Sequence, residues 1–164
     1  MSSWRSLLGH SPLRNHSAWL QNQAWGERIE LSGERVEGAL IHGCELRLAA
    51  FFDCTFAEGN WTASDFKGAE FARCALQKCV LEFTQLQGSL LREWTLEETR
   101  AVGTHFDEAR WEGGAVRGGS LARTSWAGAL VTHVSFNETP FVRAQLGGAR
   151  FVSCDLRGAN FLQA

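Results

Sequence analysis

Ten side chains in this sequence are of types that hold metals, form disulfides or move protons: Cys44, Cys54, Cys74, Cys79, Cys154, His10, His16, His42, His105 and His133. A zinc site needs Cys or His ligands in close pairs, about two to four residues apart, answered by a second pair. Cys74 and Cys79 have no His at that spacing, so no metal is expected. Acid–base chemistry has one place to start, where His105 stands next but one to Asp107, with Glu108 following. None of the five histidines belongs to a recognisable nucleophile or metal motif. The pairs Gly113-Gly114 and Gly118-Gly119 do not form a phosphate loop, because they follow the spacing of the other glycines. Neither catalytic nor cofactor-binding residues are expected, and the chain reads as a protein without enzymatic activity.

What positions these residues is a period of five. Every residue whose number ends in 1 or 6, from Leu31 to Phe161, is apolar: ten Leu, nine Phe, three Val, three Trp, Ile41 and Ala101. From Glu34 to Ala164, positions ending in 4 or 9 are Ala, Cys, Gly, Ser or Thr at all but Glu34, Trp94 and Val134. All five cysteines fall in that small class, where Cys behaves as a buried small hydrophobe. Eleven of the 17 glycines end in 3 or 8, as a turn with positive φ would favour. A five-residue period fits neither a helix nor a flat strand; it marks a repeat architecture.

Units such as Ser64-Asp65-Phe66-Lys67-Gly68, Cys154-Asp155-Leu156-Arg157-Gly158 and Ala159-Asn160-Phe161-Leu162-Gln163 resemble the pentapeptide-repeat family. The resemblance implies an all-β fold, a right-handed quadrilateral parallel β-helix with one pentapeptide per side and four per coil. About seven coils would then make a rod roughly 32 Å long at the inter-strand spacing of a sheet. Central residues from all four sides would stack inward and close a core that no single unit could bury. Cys54 and Cys74 would lie one coil apart on one corner, within disulfide reach. The odd cysteine count and a reducing compartment argue against a bridge.

Naming each side by its first central residue sorts the charges. The Leu31 side carries five acids and four bases, the Val36 side six and four, and the Leu46 side four and two. The Ile41 side has Glu82 as its only acid, against Arg100, Arg123 and Arg143. It also shows Leu40, Val80, Phe83, Val102, Pro140, Val142 and Leu162. An exposed apolar strip of this kind marks a contact surface; folding of these residues into the corners is the competing reading. A partner face is thus drawn from Leu40, Val80, Phe83, Arg100, Val102, Arg123, Val142 and Arg143. The convex side that carries His105 offers no pocket in which reactants are desolvated, so its charges read as a solvated cluster.

Two functions follow. The first is a noncatalytic interaction module that docks a protein partner through a flat side, as an adaptor, effector accessory or immunity protein. The second, implied by the resemblance to gyrase-protecting members of the family, is a DNA mimic that binds and inhibits a type II topoisomerase, DNA gyrase. Its acidic face would comprise Glu58, Glu97, Glu98, Asp107, Glu108 and Glu138, weakened by interspersed bases. A net charge of −2 argues against direct nucleic-acid binding through bulk positive charge.

Trp94 is too large for a tight corner. Gly114 one coil above, and Ala101 in the same coil, would make room for it in register; a loop over Leu91 to Arg100 is the alternative. At the N-terminus, Ser11-Pro12 starts a helix expected over residues 11–25, with Leu13, Trp19, Leu20 and Trp25 turned onto the first coil. The division is then residues 1–28, a segment with a capping helix, and 29–164, the solenoid. Phe141, Phe151, Phe161 and Leu162 lie at an uncapped C-terminal end that a second copy or a partner would cover. The stretch from Met1 to Leu8 lacks the apolar run of a signal peptide, no stretch could span a membrane, and a cytoplasmic location is expected.

Overall fold

The computed structural model describes residues 10–164. It opens with one helix, α1 (His10–Leu20). Ten strands follow: β1 (Glu30–Ser32), β2 (Arg35–Glu37), β3 (Ala50–Phe52), β4 (Thr55–Ala57), β5 (Glu70–Ala72), β6 (Ala75–Gln77), β7 (Leu90–Glu97), β8 (Arg110–Arg117), β9 (Leu130–Thr132) and β10 (Arg150–Val152). All pairs are parallel and every partner is 20 residues away, as in Leu31↔Phe51, Phe51↔Phe71 and Trp111↔Val131. Strands cover the Leu31 and Val36 sides. The other two sides are stitched by single bridges at the same offset, for example Val80↔Arg100 and Gln85↔His105. Twenty residues per coil over 27 pentapeptides gives a parallel β-solenoid of six complete coils and three sides of a seventh.

The period works because the central residues point inward. From Leu31 to Phe141 every one of them is buried. They stack ring on ring at the coil spacing, with Phe51 on Phe71 at 4.8 Å and Phe106 on Trp126 at 4.3 Å between centroids. Each aromatic contributes a large apolar area to a narrow core. The corners are sharper than the glycine pattern alone implies. Positions ending in 3 or 8 have positive φ at all 27 sites, of which 16 are not glycine, Phe83 and Arg143 among them. A left-handed conformation costs a residue with a Cβ roughly 1–2 kcal/mol, so the ladder bonds of each coil hold these turns in place.

Trp94 stays in register. It pairs with Gly114 between β7 and β8, and its side chain is fully buried. The Trp94–Gly114 pair carries the ladder across the corner, so β7 and β8 each run eight residues over two sides, while Glu93 and Gly113 keep the positive φ of the other corners.

The helix ends five residues earlier than the sequence pattern implies. Asn22 takes φ 57, its N–H bonds to the Trp19 carbonyl at 2.9 Å, and the Gln23 N–H bonds to the Ala18 carbonyl at 2.9 Å. This pair of bonds is a Schellman stop, with Asn in the left-handed position. Ser11, expected as the cap, lies inside α1, and the stretch from Met1 to Leu8 lies outside the described residues. The fold relies on His16, which no motif in the sequence singles out. It is fully buried; Nδ1 accepts the Ile29 N–H at 3.0 Å and Nε2 donates to the Arg47 carbonyl at 2.9 Å. One imidazole thereby joins α1 to the first coil, with Trp19 stacked on it at 5.6 Å.

Both ring nitrogens are committed to the neutral form, and burial pushes the His16 pKa down, opposed by its bond to Arg47 and aided by the nearby Arg28 charge; Glu45 opposes and Arg47 reinforces the shift. Below pH 6.5 the unfolded chain takes up a proton that the folded chain refuses, so stability falls as pH drops. The slope is at most about 1.4 kcal/mol per pH unit for this group. Thermal melts between pH 7.5 and 5 should show this loss, and His16→Gln should flatten it. A wild-type melting temperature that is constant over that range would refute it.

Candidate functional site

The chemistry-bearing residues come first, because the corners explain them. At several of the small positions, hydroxyls and thiols donate to the carbonyl 23 residues back, one coil below. Thr84 donates to Trp61 at 2.9 Å, Thr99 to Leu76 at 3.0 Å, Cys74 to Phe51 at 3.3 Å, Cys79 to Phe56 at 3.4 Å and Cys154 to Val131 at 3.5 Å. At these five positions cysteine and threonine therefore do the same job, satisfying carbonyls where the chain turns, whereas the Ser89 and Thr139 hydroxyls are buried without a partner. All five cysteines are free thiols. Cys54 and Cys74 are buried neighbours; a hydrogen bond from Cys74 draws the Cys54 thiol down to about 7, and the same contact, followed by burial, pushes Cys74 up.

His105 lies 3.7 Å from Asp107 on the open Leu46 side. Asp107 is engaged elsewhere, since it accepts the Ser125 hydroxyl and the Ala127 N–H. Among the described residues there is no group of three or more His, Cys, Asp or Glu placed to hold a metal.

What remains is surface, and it differs from side to side. On the Ile41 side Leu40 is 81% exposed and Phe83 59%, while Val80, Val102, Pro140 and Val142 are half-buried on the face between them. Arg100 pairs with Glu82, which neutralises the single acid of the side. Phe83 leans along its corner onto Gly103, where an added Cβ would meet its ring at 2.8 Å. A bare glycine thus lets a large ring lie flat on the corner. Arg143 Nε donates to Gln163 at 2.7 Å.

The acids of the Val36 side gather around a groove of about 360 Å³ lined by Arg35, Glu37, Ala57, Glu58, Gln77, Lys78, Glu97 and Glu98. Glu97 is held there by Gln77 at 2.9 Å and faces Arg117 at 3.4 Å. Glu138 continues the corner column of Glu58 and Glu98, whereas Asp107 and Glu108 lie on the Leu46 side, across the rod. The six acidic candidates are therefore divided between two opposite faces. Of the residues expected at the C-terminal end, Phe161 is 38% and Leu162 63% exposed, and Phe151 is half-buried. Phe141 is core: the 20-residue coil puts it beneath Phe161, with the rings stacked at 5.0 Å.

A family model of pentapeptide repeats matches residues 44–82 and 140–164, with eight copies of the repeat. No curated protein sequence matches the chain. Among solved structures it is similar to two trypsin-treated forms of QnrB1, described as a plasmid-mediated fluoroquinolone resistance protein. One is 17% identical, with 82% of this chain and 80% of that one covered and a TM-score of 0.65. The other is 18% identical, with 82% and 77% covered and a TM-score of 0.69. Rfr23, a pentapeptide-repeat protein from the cyanobacterium Cyanothece 51142, is 13% identical over 80% of this chain and 90% of its own, with a TM-score of 0.54. At these identities the likeness is one of fold. No helix among the described residues is long and apolar enough to cross a membrane. A five-residue period carried through 27 units, a 20-residue coil and the matches of the family model at residues 44–82 and 140–164 have one reading: the chain is built of pentapeptide repeats, the unit that the family model describes.

Proposed function

We propose that this protein is a noncatalytic interaction module of the cytoplasm, a rigid β-solenoid that docks a protein partner through its Ile41 side. One observation carries the reading: that side combines exposed Leu40 and Phe83 with a flat field of valines and a single, already paired acid. Contiguous apolar surface of this kind marks an interaction site on a soluble protein. Five free thiols suit a reducing compartment. The test is affinity capture from the native host. Phe83→Asp and Val142→Asp should each abolish partner capture while leaving the circular dichroism spectrum unchanged; capture that survives both substitutions would sink the proposal.

The acidic groove on the Val36 side favours a second reading, a DNA-mimicking binder of DNA gyrase. Glu58, Glu97 and Glu98 around one groove would engage a basic DNA channel, and such binding falls steeply with salt. A gyrase supercoiling assay with and without a quinolone decides it. Inhibition or drug protection near equimolar protein, lost in a Glu97→Lys, Glu98→Lys variant, would make this the primary reading. No effect at tens of micromolar would remove it.

A further inference from the structure

The corner columns of the rod obey a charge rule. Where a charged residue meets a charged neighbour one coil above, about 4.8 Å away, the signs are opposite: Arg73 holds Asp53 with two bonds of 2.6 and 2.8 Å, and Lys78 stands between Glu58 and Glu98. Where an acid has no basic neighbour above, it leans onto a glycine, as Glu98 does on Gly118 and Glu138 on Gly158. Like-signed neighbours occur on the Leu46 side, where Glu45 and Asp65 adjoin Arg47 and Lys67. There the two pairs neutralise each other, with Arg47 on Glu45 and both bases 3.9 Å from Asp65.

Arg123 and Arg143 break the rule. They occupy successive coils of the corner between the Ile41 and Leu46 sides, both exposed and both at positive φ, 57 and 58. Among the described residues neither has a carboxylate within ion-pair distance. The Arg123 guanidinium makes no hydrogen bond among the described residues, and that of Arg143 spends only Nε, on Gln163. Their neighbours are uncharged: Ala122 and Val142 on one flank, Ser125 and Gln145 on the other. Two like charges opposite each other on adjacent strands are destabilising, and here nothing in the chain relieves them. Four guanidinium N–H groups of Arg143 and five of Arg123 remain for a planar acceptor.

We propose that the Arg123–Arg143 corner is a carboxylate-binding site at which an acidic protein segment carrying apolar side chains docks on the Ile41 side. This rests on the docking reading above and specifies the partner's chemistry. Charge complementarity selects an anion, and the fork of arginine matches carboxylates in bidentate geometry. The adjoining Val142 and Val102 give the segment's apolar side chains a place to lie, which a bare phosphate backbone would not use. A second copy of this chain is a poorer occupant, because the acids of its Val36 side stand among Arg35, Lys78, Arg117 and Arg157, and Asp107 is engaged by Ser125 and Ala127.

The probe is a short fluorescein-labelled peptide of alternating glutamate and leucine pairs, followed by anisotropy. Its controls are the same peptide with lysine for glutamate and a single-stranded DNA of equal charge. The acidic peptide should bind, weaken with salt, and lose at least about tenfold in affinity to an Arg123→Glu, Arg143→Glu variant. Arg123→Glu alone should raise the melting temperature at low salt, since it converts the repulsion into a ladder pair, and a cooperative melt of the double variant shows that it folds. The proposal is overturned if the peptide does not bind at millimolar concentration, or if the double variant binds it equally. It is likewise overturned if the DNA binds as tightly, or if wild-type protein self-associates at low salt through this corner. Natural-partner capture separates the two readings. Capture lost in Val142→Asp but kept in the double arginine variant leaves the docking face standing and removes the acidic segment; capture kept in both removes both.

Discussion

Gly114→Ala is expected to destabilise the protein by about 3–5 kcal/mol and lower its melting temperature by roughly 10 °C. The position combines two independent obstacles. Its φ is 94, outside the range an L side chain adopts without strain, and an added Cβ would lie 2.1 Å from the Trp94 carbonyl oxygen and 2.8 Å from the Trp94 N and C. These are backbone atoms one coil below, fixed by the β7–β8 ladder that pairs Trp94 with Gly114. Relief would require the two longest strands to part. Trp94→Ala should not rescue the variant, because the clash is with the main chain and not with the indole. Two other glycines calibrate the result. Gly113→Ala meets the side-chain carboxylate of Glu93, and Gly33→Ala meets nothing within 4 Å, so Gly33→Ala should cost only the roughly 1 kcal/mol of its left-handed turn. Denaturant unfolding of the three variants checks the order; equal losses would mean that the coils yield at Gly114 more easily than a packed ladder should.

The same comparison shows which parts of this molecule are written locally. The inward column was legible in full, because one apolar residue in five has a single geometric consequence once the chain turns four times per coil. The turn was legible only in part. Eleven glycines announce positive φ, yet Leu48, Phe83 and Glu98 adopt it too, since ladder hydrogen bonds outweigh a local cost of about 1–2 kcal/mol. His16 was invisible because its meaning lies in partners 13 and 31 residues away. Of the corner thiols expected to be small and buried, Cys54, Cys74 and Cys79 are buried while Cys44 and Cys154 are half-buried, and the donor role of Cys74 and Cys79 depends on a carbonyl 23 residues back. The Ile41 side could be singled out by charge alone. The conflict between Arg123 and Arg143 became visible only when a 20-residue coil set them side by side. Local rules fix the scaffold here, and the distinguishing features are contacts across coils.

Trp126→Ala is expected to cost about 3–5 kcal/mol and to release the C-terminal coils first. Trp126 is fully buried, stacked on Phe106 at 4.3 Å and surrounded by Phe136, Phe141 and Phe151 at 5.8–6.3 Å. Its Nε1 donates to Thr124 Oγ1 at 2.7 Å, and that hydroxyl donates to the Leu121 carbonyl at 2.6 Å, so the indole is fully satisfied as well as fully packed. Trp61 is the matched comparison, in an equally aromatic setting between Phe56 at 4.8 Å and Phe66 at 5.0 Å. Its Nε1 is buried without an acceptor. Removing Trp61 relieves an unmet donor, worth about 1–3 kcal/mol, so Trp61→Ala should cost less than Trp126→Ala for the same loss of volume. The cavities should also be felt differently along the rod. In a solenoid each coil is held only by its neighbours, and the coil above Trp126 is already half-exposed at Leu146, Phe151 and Leu156. Hydrogen exchange in Trp126→Ala should therefore rise in β9 and β10 while β3 to β6 keep their protection. Uniform loss of protection in every strand would instead show that the coils melt as one unit, and that the stack transmits a cavity along its whole length.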